Sequence, residues 1–222
     1  MKLSIIIPTL NEEENLPVIL KKLQSFRDHN HEVIVVDGGS NDNTVALARI
    51  GVDTVITSKP GRAVQMNSAA AVATGDVFLF LHADTVLPED TADLISSLTG
   101  ESYWGYFSIR LSSQKLIFRL IEWFVNFRSR WSSIATGDQA IFIERKLFNS
   151  IGGFPEILLM EDIAISRILK NTLSPVRFRS KVLTSSRRWE ENGVVLTVLL
   201  MWKLRLFYFF GVSPEKLSQM YH

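Results

Sequence analysis

Three short segments of this chain each set a carboxylate at the end of an apolar run: residues 35–44 (VVDGGSNDNT), 80–85 (FLHADT) and 158–167 (LLMEDIAISR). Asp37 closes the run EVIVVD and is followed by Gly38 and Gly39. A carboxylate there can accept from a base N–H or a ribose hydroxyl, and the glycines let a ligand come close to the backbone. The same residues, with Ser40 and Asp42 as local caps, also suit an ordinary strand-to-helix turn. Asp84 follows a strongly hydrophobic run. One carboxylate oxygen at that point can hold Mg2+ or Mn2+ while diphosphate oxygens and water take the other positions; a helix cap ahead of Pro88 is the plainer alternative. His82 shares strand parity with Asp84 and reads as a hydrogen-bonded structural histidine. Glu161 and Asp162 lie just past an apolar patch at a helix start, where a carboxylate can be poised as a base or can merely complement the helix dipole.

Other groups fit the same chemistry. Gly61 and Arg62 open a helix whose free N–H groups favour phosphate. Gly137-Asp138-Gln139 precedes a strand. Arg188 offers a phosphate-matched fork, and Trp189 a face for a sugar or base. Each also has a bland reading, as a solvated arginine or a basic turn with a half-buried tryptophan. Collected in one crevice, they imply a nucleotide site, a metal site and a base, which is the equipment for moving a group from an activated nucleotide.

The elements that must position these residues follow from periodicity. Residues 3–7 form a buried strand stopped by Pro8, and a helix follows with Asn15 as N-cap and Pro17 in its first turn, running to about Arg27. Strands over 32–37, 52–57 and 76–81 alternate with helices over 43–50, 62–74 and 88–98, with Gly75 stopping the Ala-rich one. That alternation predicts a mostly parallel sheet with helices on both faces, an α/β fold. After Gly100 the pattern changes: strands at 103–111, 140–143 and 176–183, and helices at 115–131 and 161–170.

The chain has 222 residues, 46% of them hydrophobic, enough for a substantial core. Its net charge of +1 gives no field to recruit nucleic acid. With no cysteine there is neither disulfide nor thiolate chemistry, which fits a reducing compartment. The opening MKLSIIIPTLNEEEN does not read as a signal peptide, and no apolar run reaches the roughly 20 residues of a membrane span.

Taken in order, the segments resemble the family 2 glycosyltransferases of the GT-A fold over about residues 2–190. IIIPTLNEEENL resembles the opening strand and loop, which implies Pro8, Thr9, Asn11 and Glu12 at the nucleotide pocket. VVDGGSNDNT resembles the base-binding segment, implying Asp37, Gly38, Ser40 and Asp42 there. LHADT stands where the family has its Asp-x-Asp metal motif, with His82 and Ala83 beside the donor and Asp84 on the metal. MED stands where the family has its catalytic acid pair, implying Asp162 as base beside Glu161. GRAVQMN (Gly61, Arg62, Asn67), GDQAIF (Gly137, Asp138, Gln139), GGFPE and the RRW segment are similar to a bacterial subgroup of small transferases, some named for glycosylating carotenoid acids. His82 replaces the first acid of the metal motif, and none of His29, His31, His82 and His222 lies near RRW in sequence. The resemblance thus implies weak metal binding, with Arg188 sharing the charge neutralisation.

The expectation is an inverting transferase that moves one sugar from a nucleotide-sugar, a UDP-sugar before a GDP-sugar, to a hydroxyl or carboxylate. The catalytic domain would cover 1–190, and residues 191–222 would form an apolar helical appendage. A nucleotidyltransferase and a non-catalytic nucleotide-sugar binder are the rivals. The acidic loop after the first strand argues against a triphosphate cradle. Residues 115–131 carry one polar stripe (Lys115, Arg119, Glu122, Asn126, Ser129), and 194–210 are apolar around Lys203 and Arg205. With Trp123, Trp131, Trp202 and Tyr208 as interface residues, they suggest a lipid or isoprenoid acceptor and peripheral contact with the inner face of the plasma membrane. A homodimer contact is the alternative.

Overall fold

The structure is a computed structural model that describes residues 1–221; His222 lies outside the described residues. Four parallel strands make the first half of the sheet: β1 (Leu3–Thr9), β2 (Glu32–Asp37), β3 (Thr54–Thr57) and β4 (Val77–Phe80). The second half adds β5 (Thr85–Val86), β6 (Trp104–Leu111), β7 (Ile141–Glu144) and β8 (Val176–Thr184). The order is β3-β2-β1-β4-β7-β6-β8-β5. β7 runs antiparallel to β4 and β6, β8 runs parallel to β6, and β5 runs antiparallel to β8. The expected α/β architecture, mostly parallel with helices on both faces, is what forms.

Strand alternation divides the core. Ile5, Ile7, Val33 and Val35 point into one layer beneath α1 (Leu16–Asp28) and α2 (Thr44–Gly51). Ile6, Ile34 and Val36 point into the other, against α3 (Arg62–Val72), α6 (Arg145–Ser150) and α7 (Glu161–Thr172). α1 buries Leu16, Ile19, Leu20, Leu23 and Phe26, each worth about 1.5–3 kcal/mol of transfer free energy. Asn15 stands at its N-cap position, but the amide donates to Glu12 Oε2 (2.7 Å) instead of capping the helix. Gly75 lies beyond the end of α3 rather than capping it. A Cβ there would sit 2.6 Å from Ser4 N, so this crossing of chains requires glycine.

The short elements β5, α6, α8 (Arg187–Glu191) and α10 (Pro214–Tyr221) were not legible in the sequence, and α4 (Thr91–Ser96) is shorter than its pattern. α9 (Val194–Phe209) and α10 pack on α7 through Met160, Ile163, Leu204 and Leu217.

α5 (Leu116–Ser132) is turned the opposite way from an ordinary surface helix. From Arg119 onward its polar stripe faces inward, while Lys115 stays exposed. β6 pairs with β7 only at Trp104 and Gly105, leaving backbone groups farther along to find other partners. Asn126 accepts from Ile109 N (2.9 Å) and donates to Ile109 O (3.1 Å), while Glu122 accepts from Leu111 N (2.6 Å) and pairs with Arg119 (3.0 Å). Ser129 is fully buried and donates to Gln139 Oε1. The outward face therefore carries Leu120, Trp123, Phe124, Phe127 and Trp131, and α9 adds exposed Leu199, Trp202 and Phe209. Tyr208 instead packs inward under Arg167. Among the described residues no helix is long and apolar enough to cross a membrane.

Candidate active site

The carboxyl ends of β1, β2 and β4 open onto one crevice, the position where parallel sheets collect ligands. Thr9 and Asp37 are register partners there. A cavity of about 310 Å³ is lined by Pro8, Thr9, Glu12, Gly61, Arg62, His82 and Ala83, fewer than half of the residues expected at the donor, together with Asp84 and Glu161. Gln65 also lines it and was missed; its amide donates to Thr9 O (2.8 Å) and Val36 O (2.9 Å), tying two strand ends together.

Asn11, Asp37, Gly38, Ser40 and Asp42 do not line this cavity; they build the loops that follow β1 and β2. Asp37 is buried, and its Oδ2 accepts from Gly39 N (2.8 Å) and Ser40 N (2.9 Å). Ser40 Oγ in turn accepts from Asn11 N (2.8 Å), and Asn11, at φ 55°, accepts from Asn41 N (2.9 Å). Asp42 accepts from Thr44 N (3.0 Å) and Glu13 N (3.2 Å). These contacts clamp the loop after β1 to the loop after β2. Gly38 lies against Gln65, where a Cβ would come within 3.2 Å of its amide. Asn67 and Gln139 do not line the cavity either. Asn67 exchanges hydrogen bonds with the Phe154 backbone (both 2.9 Å), and Gln139 is fully buried, donating to Phe107 O (3.2 Å).

The acid pair opens α7, after Met160 at φ 70°. Asp162 accepts from Gly137 N (3.0 Å) and Ile163 N (2.7 Å). Burial raises its pKa above the ordinary carboxylate range, against the pull of those two N–H groups. Burial and then Asp162 push Glu161 up to about 7, with Arg62 opposing. Burial works against the charge of Arg62, but Glu161, Tyr221, Asp162 and Asp84 outweigh it and hold the guanidinium above its usual value. Burial, then Arg62, hold the His82 imidazole down to about 3, so it is neutral at pH 7. It packs on Gly137, where a Cβ would lie 2.3 Å from Nε2; only glycine fits.

Asp84 is the candidate metal ligand. Its Oδ1 accepts from Thr85 Oγ1 (3.1 Å), which leaves the second oxygen available. Burial raises its pKa, with the Thr85 hydrogen bond and Arg62 opposing the rise and Asp138 adding to it. Among the described residues no group of three His, Asp or Glu forms a cage. One carboxylate beside a neutral imidazole does not fit an all-protein metal site, but it does fit Mg2+ or Mn2+ shared with phosphate and water.

A second, larger cavity of about 770 Å³ adjoins the first and shares Arg62, His82, Asp84, Glu161 and Tyr221 with it. It takes in Asp162, Gly137, Asp138, Arg188 and Trp189 and continues between α5 and α9. Arg188 stacks on the Tyr221 ring, 3.9 Å from its centroid, and donates to its hydroxyl. Tyr221 and Arg128 gave no signal in the sequence, because α10 is polar and Arg128 sits within an aromatic helix.

Residues 4–101 match the profile of Glycosyl transferase family 2. The resemblance drawn from the sequence is borne out over that segment. The chain is 33% identical over 169 residues to a PGL/p-HBAD biosynthesis glycosyltransferase of Mycobacterium bovis, covering 68% of this chain and 62% of that relative. It is 32% identical over 118 residues to the 4,4'-diaponeurosporenoate glycosyltransferase of Staphylococcus haemolyticus, covering 49% of this chain and 31% of that one. It thus spans about three-fifths of the mycobacterial relative's length. The fold is similar to glucosyl-3-phosphoglycerate synthase from Mycobacterium tuberculosis in complex with Mn2+ and UDP-glucose, with TM-score 0.60, 18% identity, and coverage of 81% of this chain and 69% of that one.

Proposed function

We propose that the chain transfers a single sugar from a nucleotide-sugar to an acceptor oxygen, with inversion at the anomeric carbon. The observation that carries this reading is the meeting of Asp84, Arg62 and the Glu161–Asp162 pair in adjoining cavities at the carboxyl ends of parallel strands. The nucleoside lies by the clamped loops of β1 and β2, where Asp37 fixes the base. A UDP-sugar is favoured, as in the neighbouring synthase fold, with a GDP-sugar as alternative.

Asp162 takes the proton from an acceptor hydroxyl while its oxygen attacks C1 from the face opposite the nucleotide. The bond from C1 to the diphosphate oxygen breaks, and its electron pair leaves with the nucleoside diphosphate. A carboxylate acceptor would attack without giving up a proton. Gly137 N–H and Ile163 N–H orient Asp162. Burial makes it a stronger base than an exposed aspartate. Arg62, charged throughout the working pH range, faces the leaving diphosphate, and Arg188 faces it once freed from Tyr221. A divalent ion held by Asp84 would supply electrostatic stabilisation of the leaving group. One such charge contact is worth about 3–4 kcal/mol in the transition state.

The acceptor is lipid-like, and the protein works at the cytoplasmic face of a membrane, with the outward apolar faces of α5 and α9 as its contact. Residues 1–190 act as the transferase domain and 191–222 as its apolar appendage. The acidic run Glu12, Glu13, Glu14 after β1 disfavours nucleotidyl transfer from a triphosphate.

A thermal-shift screen of UDP-, GDP- and dTDP-sugars, with and without Mn2+, tests the reading. A donor at about 100 times its dissociation constant should stabilise the fold by roughly 2.7 kcal/mol. If no nucleotide-sugar moves the transition, the reading is wrong.

A further inference from the structure

The larger cavity joins two surfaces of opposite character. One end holds the reacting groups; the other runs between α5 and α9, past Leu120, Phe124, Val198 and Leu199. Leu120, Phe124 and Leu199 are exposed, so this stretch is an open apolar channel, not closed core. Its volume, about 770 Å³, is far more than a single sugar ring requires and lies within the range of sites for whole small ligands. Where the apolar part meets the reacting end, two buried polar atoms of the cavity wall lack a partner: Arg128 Nε and Asp138 Oδ1. Arg128 Nη2 donates to Ser129 Oγ (3.0 Å) and Thr136 Oγ1 (3.4 Å), and the guanidinium forms no ion pair with Asp138. An unpaired donor and an unpaired acceptor at such a depth are costly unless a ligand satisfies both.

We infer that this channel is the acceptor site, and that the acceptor is a single-chain amphiphile with a neutral, hydroxylated head. This rests on the transfer reading above and names its second substrate. The chain lies between α5 and α9. The head reaches the inner end, where Arg128 Nε–H donates to one of its oxygens and Asp138 Oδ1 accepts from one of its hydroxyls. A second hydroxyl then faces Asp162. A neutral head is favoured over an anionic one because the cavity already holds Asp84, Asp138, Glu161 and Asp162 against Arg62, Arg128, Arg188 and Arg205. Those charges leave little net positive potential for a phosphate or carboxylate head. The occupant is the acceptor rather than a second copy of the chain because the channel is continuous with the reacting groups, which a flat helix-to-helix contact would not need.

Alkyl β-glucosides below their micellar concentrations are the probe, with alkyl phosphates and alkanoates of equal chain length as comparison. Binding is followed by calorimetry on the full chain. Affinity for the glucosides should rise about three- to fourfold per added methylene. It should fall at least tenfold in Leu120→Trp with Leu199→Trp, which fill the channel from exposed positions and leave nucleotide-induced thermal shifts unchanged. Asp138→Asn and Arg128→Gln should each weaken the glucoside roughly tenfold with the chain-length slope retained. A slope near zero overturns the channel. Equal or tighter binding of phosphates or alkanoates overturns the neutral head. A drop in oligomeric state in the double tryptophan variant, with glucoside binding intact, assigns the groove to self-association and overturns the proposal. Loss of all nucleotide binding in the wild type would sink the transfer reading alone, because the chain-length slope is measured without donor.

Discussion

α1 and α5 are both amphipathic helices laid on the same sheet, and they present opposite faces to it. α1 buries Leu16, Ile19, Leu20, Leu23 and Phe26 and shows water its lysines. α5 buries Glu122 and Ser129 beside Phe118 and Ile121, and shows water Trp123, Phe127 and Trp131. The difference lies in what each covers. α1 covers the side-chain face of fully paired strands, where only apolar atoms wait. α5 meets β6 where its backbone has lost β7 as a partner, so polar side chains must supply the missing hydrogen bonds. With its polar residues used inward, the helix has an apolar outer face left over. The donor half of the molecule is thus an ordinary layered α/β unit, whereas the α5–α9 half keeps its hydrophobic surface outside.

The sharpest way to break that division is at the acid pair where the halves meet. Asp162→Asn keeps shape and both N–H contacts and removes basicity. Turnover on a hydroxyl acceptor should fall about a hundredfold or more while donor binding persists. In the wild type, the acid limb of kcat should reflect the raised pKa of the pair, activity rising with pH as it ionises. Near-wild-type turnover in the asparagine variant would remove Asp162 from the role of base.

The donor half has its own test. Asp84→Ala should abolish Mn2+-dependent stabilisation by a nucleotide-sugar. Asp37→Ala should weaken nucleoside binding with or without the ion, by loosening the Gly39–Ser40 turn as well as by removing a contact. Thermal shifts with UDP and UDP-sugars separate the two. If both variants respond as wild type does, the donor binds elsewhere.

The contrast between the helices also explains which parts of the molecule were legible in sequence. β1 to β4 are apolar runs bounded by turn residues, and their parallel order follows from the helices between them. Asp84 and Asp162 stand out because each follows such a run, and Arg62 because it opens a helix after Gly61. The stripe of α5 was visible as a four-three-four-three spacing, but a period carries no sign; which face turns inward depends on β6 losing its neighbour, a fact of tertiary pairing. β5 has two residues and exists because Thr85 meets Thr184 far along the chain (3.0 Å between hydroxyls). α10 reads as polar surface, yet Leu217 is fully buried and Tyr221 reaches Arg188. Asn67 and Gln139 were drawn to the site by resemblance, and long-range backbone contacts took them elsewhere.

Paired substitutions on α5 sharpen the contrast at smaller effect. Asn126→Ala leaves both backbone groups of Ile109 unpaired and should cost roughly 2–3 kcal/mol, about 5–10 °C in Tm. Trp123→Ser, on the exposed side, should change stability by less than about 0.5 kcal/mol. In flotation with anionic liposomes the order reverses: the serine variant, combined with Trp202→Ser, should leave the vesicles, and the alanine variant should stay. Wild-type protein that remains in the soluble fraction at low salt would refute the membrane contact.

The smallest effect concerns the strain stored where the two halves join. Glu161 is buried, and its folded-state pKa, pushed up to about 7, exceeds the unfolded value near 4.5. Between those values the folded chain holds a proton that the unfolded chain has released. Stability therefore falls as pH rises through this window and is fully recovered below it. Glu161→Gln removes the charge and keeps the shape, so it should raise Tm by several degrees at pH 8 and by almost nothing at pH 4.5. The cost of the charge at neutral pH is borne by a site that holds Arg62 in place, so the same variant should weaken donor binding even as it stabilises the fold. A Tm gain of equal size at both pH values would mean that Glu161 is not the proton-linked group, and that the pH dependence belongs to Asp162 or Asp84 instead.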